Sequence, residues 1–215
     1  MKLYWQDAGV QSKIINKLQK NEILITSTDT VPGLLANATK QGFDNLNQIK
    51  GGRQGKPYII LISDMAKLAY FADDCALTSE VQKILSSCWP GPLTVIFNSK
   101  PGMPDFLKSE SDTVAMRCPS HFGLLSVLQN FDGLFSTSAN KSCEVQPDLI
   151  DNIATELLSS VGLAVDDRDR CFSSEFSTIL DFSCFDQDKK IYLLRQGAFA
   201  LSKIEELADI KIYKK

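Results

Sequence analysis

The chain has 215 residues, 44% of them hydrophobic, which suffices for one sizeable core, and it carries a formal net charge of -3. That acidity excludes a general nucleic-acid-coating protein, which is usually basic, so any anion site must be a local concentration of positive charge. No run approaches the roughly 18 to 20 apolar residues of a membrane span, and residues 1–7 lack a signal peptide's apolar segment, so a single cytoplasmic domain with no membrane partner is expected.

The elements follow from apolar periodicity. Ile23-Leu24-Ile25 is a short strand that ends in a hydroxyl-rich turn, and Leu34-Leu35-Ala36 returns as a second one. Phe43, Leu46 and Ile49 mark one face of a helix that Gly51-Gly52 stops, which puts Lys50 at its exit. Tyr58 to Ile62 is a buried strand, followed by a helix near 64–72. Thr78 caps a further helix whose inner face is Val81, Ile84, Leu85 and Cys88, and Pro90-Gly91-Pro92 ends it. Leu93 to Phe97 is a strand. Pro101 to Asp112 is a polar loop, readable as a lid or as a solvated connection. A strand over Val114–Cys118, a capped helix over Ser120–Phe131 and a short strand at Leu134-Phe135 lead to the turn Ser138-Ala139-Asn140. A helix carrying Ile150, Ile153, Ala154, Leu157 and Leu158 comes next, then strands at Leu163–Val165, Thr178–Leu180 and Ile191–Leu194, and a last helix over Ser202–Ala208. Interleaved helices and strands, with paired strands near the middle, predict an α/β fold around a twisted mixed sheet.

The chemistry gathers at predicted strand ends. Lys50, Arg53 and Lys56 fall within seven residues on a glycine-broken loop, and Arg117 and Arg195 each end an apolar strand, where ligands of open α/β sheets bind. Hydroxyl and amide groups at Thr28, Thr30, Thr113, Ser136, Ser138, Asn140 and Ser177 occupy the same ends. The stretch Gly51-Gly52-Arg53-Gln54-Gly55-Lys56 is not a P-loop. Its spacing is one residue short, and Pro57 stands where a Ser or Thr would ligate magnesium. Phosphates would therefore be held by side-chain cations. The one imidazole, His121, reads as a surface residue at a helix start rather than part of a nucleophilic triad. The six cysteines form no C-x-x-C pair, so neither a zinc knuckle nor a redox dithiol is indicated, and they read as reduced, mostly buried thiols.

Seven motifs stand in order: Thr28-Asp29-Thr30-Val31-Pro32-Gly33-Leu34, the Lys50/Arg53 loop before Lys56-Pro57, Trp89 to Thr94, Thr113 to Arg117, Ser138-Ala139-Asn140, Ser177 to Asp181 and Leu194 to Ala198. Together they resemble the YrdC/TsaC family, the threonylcarbamoyl-AMP synthases, over roughly residues 10 to 200. The resemblance implies a YrdC-like fold with flanking helices and a concave cationic pocket. It also implies formation of threonylcarbamoyl-AMP and pyrophosphate from L-threonine, bicarbonate and ATP. The adenylate would pass to tRNA threonylcarbamoyl transferase proteins, with any direct contact to tRNA weak or indirect. By the same resemblance Thr30, Arg117, Ser136 and Ser177 contact threonine. Arg53, Lys56, Thr113, Ser138, Asn140, Gln146 and Arg195 lie along ATP, and Lys50 with Arg53 acts in catalysis. Magnesium would arrive with the triphosphate; no prosthetic group and no separate metal site is implied.

The chain departs from the family pattern in three places. Arg53 comes one residue late after Lys50; Ser27 and Pro32 replace the usual Pro and Tyr; and the strand after Lys56-Pro57 lacks the histidine found in some members. Ending soon after Leu194–Ala198, the chain reads as the short single-domain form. The rival readings are a nonenzymatic RNA-binding module and a carbamoyl-adenylate-forming relative.

Overall fold

The computed structural model describes residues 1–51, 57–74, 77–140, 146–168 and 175–214. Among these the strands are β1 (Lys2–Tyr4), β2 (Leu24–Thr26), β3 (Gly33–Asn37), β4 (Ile59–Leu61), β5 (Leu93–Asn98), β6 (Thr113–Arg117), β7 (Leu134–Ser138), β8 (Leu163–Asp166), β9 (Thr178–Asp181), β10 (Ile191–Arg195) and β11 (Ile212–Lys214). The helices are α1 (Val10–Gln19), α2 (Lys40–Lys50), α3 (Ser79–Cys88), α4 (Phe122–Leu128), α5 (Thr155–Ser159), α6 (Phe185–Asp188) and α7 (Leu201–Ala208). The strands form one mixed sheet in the order β1-β8-β2-β3-β7-β4-β6-β5-β9-β10-β11.

Strand alternation divides the core in two. One face sends Ile25, Leu34, Ala36, Ile60, Val95, Met116 and Phe135 into a large cluster closed by Leu46 of α2, Val81, Ile84 and Leu85 of α3 and Ile204 of α7. The opposite face sends Leu24, Leu35, Leu61, Leu134 and Leu163 into a smaller cluster under Val10, Ile14 and Leu18 of α1 and Leu124, Val127 and Leu128 of α4. That smaller cover stops part-way across the sheet. Beyond it Ser136, Ile59, Ile96 and Ile179 are only half-buried, and the candidate site lies on this stretch of the face.

Several elements differ from expectation. Residues 64–72 hold a 3-10 helix, Met65–Tyr70, capped by Asp64. The helix expected through Ile150 and Leu158 is broken: a 3-10 turn, Ile150–Asn152, ends before Ala154, which is extended and starts α5. The helix expected over 120–131 is shorter, and a 3-10 turn, Asp105–Leu107, interrupts the polar loop. β1, α1, α6 and β11 come in addition to the expected elements, so α7 is followed by a further strand. Of the cysteines in the described residues, Cys88 and Cys118 are buried free thiols, and burial first of all pushes them up to about 11 and about 12; Cys184 is exposed. Cys75, Cys143 and Cys171 lie outside the described residues. Among the described residues no helix is long and apolar enough to cross a membrane.

Candidate active site

The turn between β2 and β3 organises one wall. Thr28 Oγ1 accepts the Thr30 N–H at 3.1 Å and donates to the Val31 carbonyl at 2.9 Å, a hydroxyl-closed turn that spares the backbone a longer loop. This curl brings Asp29 and Thr30 against Arg117, the last residue of β6. The Arg117 guanidinium donates from Nη1 to Thr30 Oγ1 at 2.9 Å, from Nη2 to Asp29 Oδ1 at 2.5 Å and from Nε to the Gly91 carbonyl at 3.2 Å. Three of its five N–H groups are thus engaged, and two have no acceptor among the described residues. Asp29 Oδ2 accepts from both the N–H and the hydroxyl of Ser120, at 2.9 and 3.0 Å. Burial pushes the Asp29 carboxyl up, but the Arg117 charge and the hydrogen bonds from Ser120 and Arg117 outweigh it, and the carboxyl ends below its ordinary value.

The opposite wall comes from β5, β9 and β10. Ser177 Oγ lies 2.8 Å from Thr94 Oγ1, and Arg195 donates to the Ser177 carbonyl from Nε at 3.1 Å and from Nη2 at 2.8 Å. The Arg195 guanidinium sits over the Phe176 ring, 4.8 Å from its centroid, which holds the cation against an apolar surface. Gly197 is required beside it, since a Cβ there would fall 2.2 Å from the Phe176 carbonyl. Burial, and then the charge of Arg117, depress Arg195 below the usual arginine value, as expected for two cations facing one space.

Between the walls is a cavity of about 100 Å³ lined by Thr30, Arg117, Ser136, Ser138, Ser177 and Arg195 of the expected residues, with Asp29, Gly33, Ile59, Leu61, Pro119 and Phe176 among the others. Asp29 compensates Arg117, so among the described residues the lining keeps one positive charge without an ion-pair partner, that of Arg195. A small anion carrying an apolar or hydroxylated side group fits that chemistry.

Ser138 leads out of the cavity to a second cluster. Its hydroxyl donates to Asn140 Oδ1 at 2.6 Å, and the buried Lys50 ammonium, from the end of α2, reaches the Ser138 carbonyl at 3.1 Å and the Asn140 carbonyl at 2.5 Å. Lys50 can do this because Gly51 (φ 69) turns the chain away immediately after it. Gln146 donates to the Pro32 carbonyl at 3.1 Å, which ties this cluster to the cavity rim, while its buried Oε1 has no partner among the described residues. Thr113 is on the same face of β6 as Arg117 but at the other end, about 13 Å away by strand rise, with its hydroxyl 2.7 Å from Ser109 Oγ. Arg53 and Lys56 lie outside the described residues.

Two features were not expected. Asp29, embedded in the quoted Thr-Asp-Thr run, is the charge partner of Arg117. His121 is not a surface residue: it is 3% exposed, and its ring caps α4 by accepting the Leu124 N–H at Nδ1, 3.0 Å. Nδ1 is therefore the acceptor, and Nε2 carries the proton towards Asp167 Oδ2 at 3.1 Å. Asp167 also accepts from Ser27 Oγ at 2.8 Å, and Trp5 Nε1 donates to that hydroxyl at 3.1 Å. The burial arises because β8 and β1 bring Asp167 and Trp5 to the start of α4, a juxtaposition no local pattern announces.

A model of Sua5/YciO/YrdC proteins, described as telomere recombination, matches residues 16–197. The chain belongs to the Sua5/YciO/YrdC family. A relative in Methanocaldococcus jannaschii, named putative threonylcarbamoyl-AMP synthase, is 30% identical over 211 residues, covering 95% of both chains. The threonylcarbamoyl-AMP synthase of Pyrococcus abyssi is 26% identical over 91% of this chain, which spans 56% of that protein. In fold, the chain is similar to P. abyssi Sua5 (TM-score 0.87, 22% identity, 100% of this chain and 62% of that one) and to Escherichia coli YciO (TM-score 0.77, 18% identity, 95% and 97%). The mixed α/β architecture of this family is thus the one the motifs predicted.

Proposed function

We propose that this chain is an L-threonylcarbamoyladenylate synthase acting in tRNA modification. The observation that carries this reading is the convergence of Thr30, Arg117, Ser136, Ser177 and Arg195 on one small cavity with net positive charge. The names of the M. jannaschii and P. abyssi relatives support it, as does a solved structure of P. abyssi Sua5 complexed with L-threonine.

In this reading the two remaining N–H groups of Arg117 take the threonine carboxylate in a fork, while Thr30, Ser136 and Ser177 offer hydroxyls to its amine and side chain. The amine and bicarbonate form a carbamate with loss of water. A carbamate oxygen then attacks the α-phosphorus of ATP, the bond from α-phosphorus to the bridging oxygen breaks, and pyrophosphate leaves. The chemistry needs oriented anions and stabilised charge, not a protein nucleophile.

Ser138, Asn140, Gln146, Arg195 and Thr113 lie along ATP, joined by Arg53 and Lys56. The half-buried row Ile59, Ile96 and Ile179 between them offers an apolar floor for a nucleoside. Magnesium enters with the triphosphate, and the carboxylate lining the cavity, Asp29, is committed to Arg117 and Ser120. The product passes to a tRNA-modifying transferase. Mass spectrometry of the products from ATP, bicarbonate and L-threonine tests the reading. A threonylcarbamoyl-AMP ion supports it, and its absence with a folded protein refutes it.

A further inference from the structure

We propose that Asp29, itself fixed by Ser120, is a positioning residue that aims the Arg117 guanidinium into the cavity; the consequence for threonine rests on the functional reading above, whereas the aiming of Arg117 does not. Arginine has a long, rotamer-rich side chain, and a cation at a strand end facing a second cation is pushed away from it. Arg117 faces Arg195 across the cavity, yet it is 6% exposed and held at three points. Two of those points, the Gly91 carbonyl and Thr30 Oγ1, are neutral acceptors. Asp29 supplies the opposing charge.

The carboxylate can aim only because it is itself oriented. Asp29 is 4% exposed, and its Oδ2 takes two hydrogen bonds from one residue, Ser120, so its plane is fixed and Oδ1 is presented to Nη2. Ser120 is in turn next to His121, whose ring caps α4 and meets Asp167, and Asp167 accepts from Ser27, two residues before Asp29. The two loops that carry Asp29 and Ser120 are therefore tied together twice. Ser120 touches Arg117 through Asp29, so removing its hydroxyl should act by way of the carboxylate.

Two readouts test this. Calorimetric binding of L-threonine should weaken about tenfold in Asp29→Asn and about threefold in Ser120→Ala, with Ser120→Thr restored and ATP affinity unchanged. The double variant should be no weaker than Asp29→Asn alone, since both act through one carboxylate. In nitrogen-15 spectra the Arg117 Nη2–H signal, from the group that Asp29 holds and assigned by its loss in Arg117→Lys, should be protected from exchange in the wild type and lose that protection in both variants. This second readout needs no ligand. If the wild type forms no adenylate while the Arg117 signal behaves as described, the functional reading fails and the positioning role stands. If Asp29→Asn does not fold, Ser120→Ala decides. Unchanged threonine affinity together with a protected Arg117 signal in a folded variant overturns the proposal.

Discussion

Lys50 and Asn140 are joined across 90 residues of sequence: the Lys50 ammonium donates to the Asn140 carbonyl at 2.5 Å and to its Oδ1 at 3.2 Å. With its bond to the Ser138 carbonyl, this buries a cation as the fastener of the Ser138–Asn140 turn. Lys50→Met keeps the stem and removes the charge, so it leaves buried acceptors unmet. The expected cost is about 1 to 3 kcal/mol, read as a lower unfolding temperature, together with weaker ATP binding because the turn no longer holds Ser138 and Asn140. An unchanged unfolding temperature would show that the turn stands without Lys50.

In the proposed reading, charge stabilisation at the phosphates is the work of Arg53 together with Lys50. Arg53→Ala is expected to reduce turnover by roughly 10²- to 10³-fold, the loss seen when one preorganised donor is removed. Lys56→Ala, measured in parallel at saturating threonine, separates the two. A silent Arg53→Ala removes that residue from the site.

Much of the fold was legible because its elements obey one period each. Val81, Ile84, Leu85 and Cys88 do line one face of α3, and Thr78 does cap it, its hydroxyl accepting the Val81 N–H at 3.3 Å. α1 was missed although Val10, Ile14 and Leu18 are its buried residues, since Gly9 provides no side-chain cap to mark the start. The break before α5 was hidden because Ile150, Ile153 and Leu157 keep helical spacing although Ile153 and Ala154 leave the helical conformation. Of the residues that line the cavity, Thr30, Arg117, Ser136, Ser138, Ser177 and Arg195 were singled out from strand-end position and motif. Asp29 and His121 were not, because their partners lie 88 and 46 residues away and only the sheet order brings them together.

Arg117→Ala is expected to weaken threonine binding by about 2 to 5 kcal/mol, since it also leaves Asp29 buried without its counter-charge. Arg117→Lys should recover little of this, because one ammonium cannot reach Gly91, Asp29 and Thr30 at once. Threonine affinity within twofold of wild type in a folded Arg117→Ala would reduce the residue to a structural salt bridge.

Acid should loosen the same pair. Folded Asp29 titrates below the value of about 3.9 for an unfolded aspartate. Its contribution is therefore complete well above that value and is lost as pH falls through the lower folded one. Unfolding free energy measured in steps below about pH 5 should fall more steeply in the wild type than in Asp29→Asn. Parallel curves would mean that Asp29 is not a linked group.

The most direct test follows pyrophosphate release by the wild-type protein while single reactants are withheld. Release should require L-threonine and bicarbonate together with ATP, and label from bicarbonate should appear in an adenylated product. ATP cleavage that proceeds equally well without threonine would contradict the synthase reading.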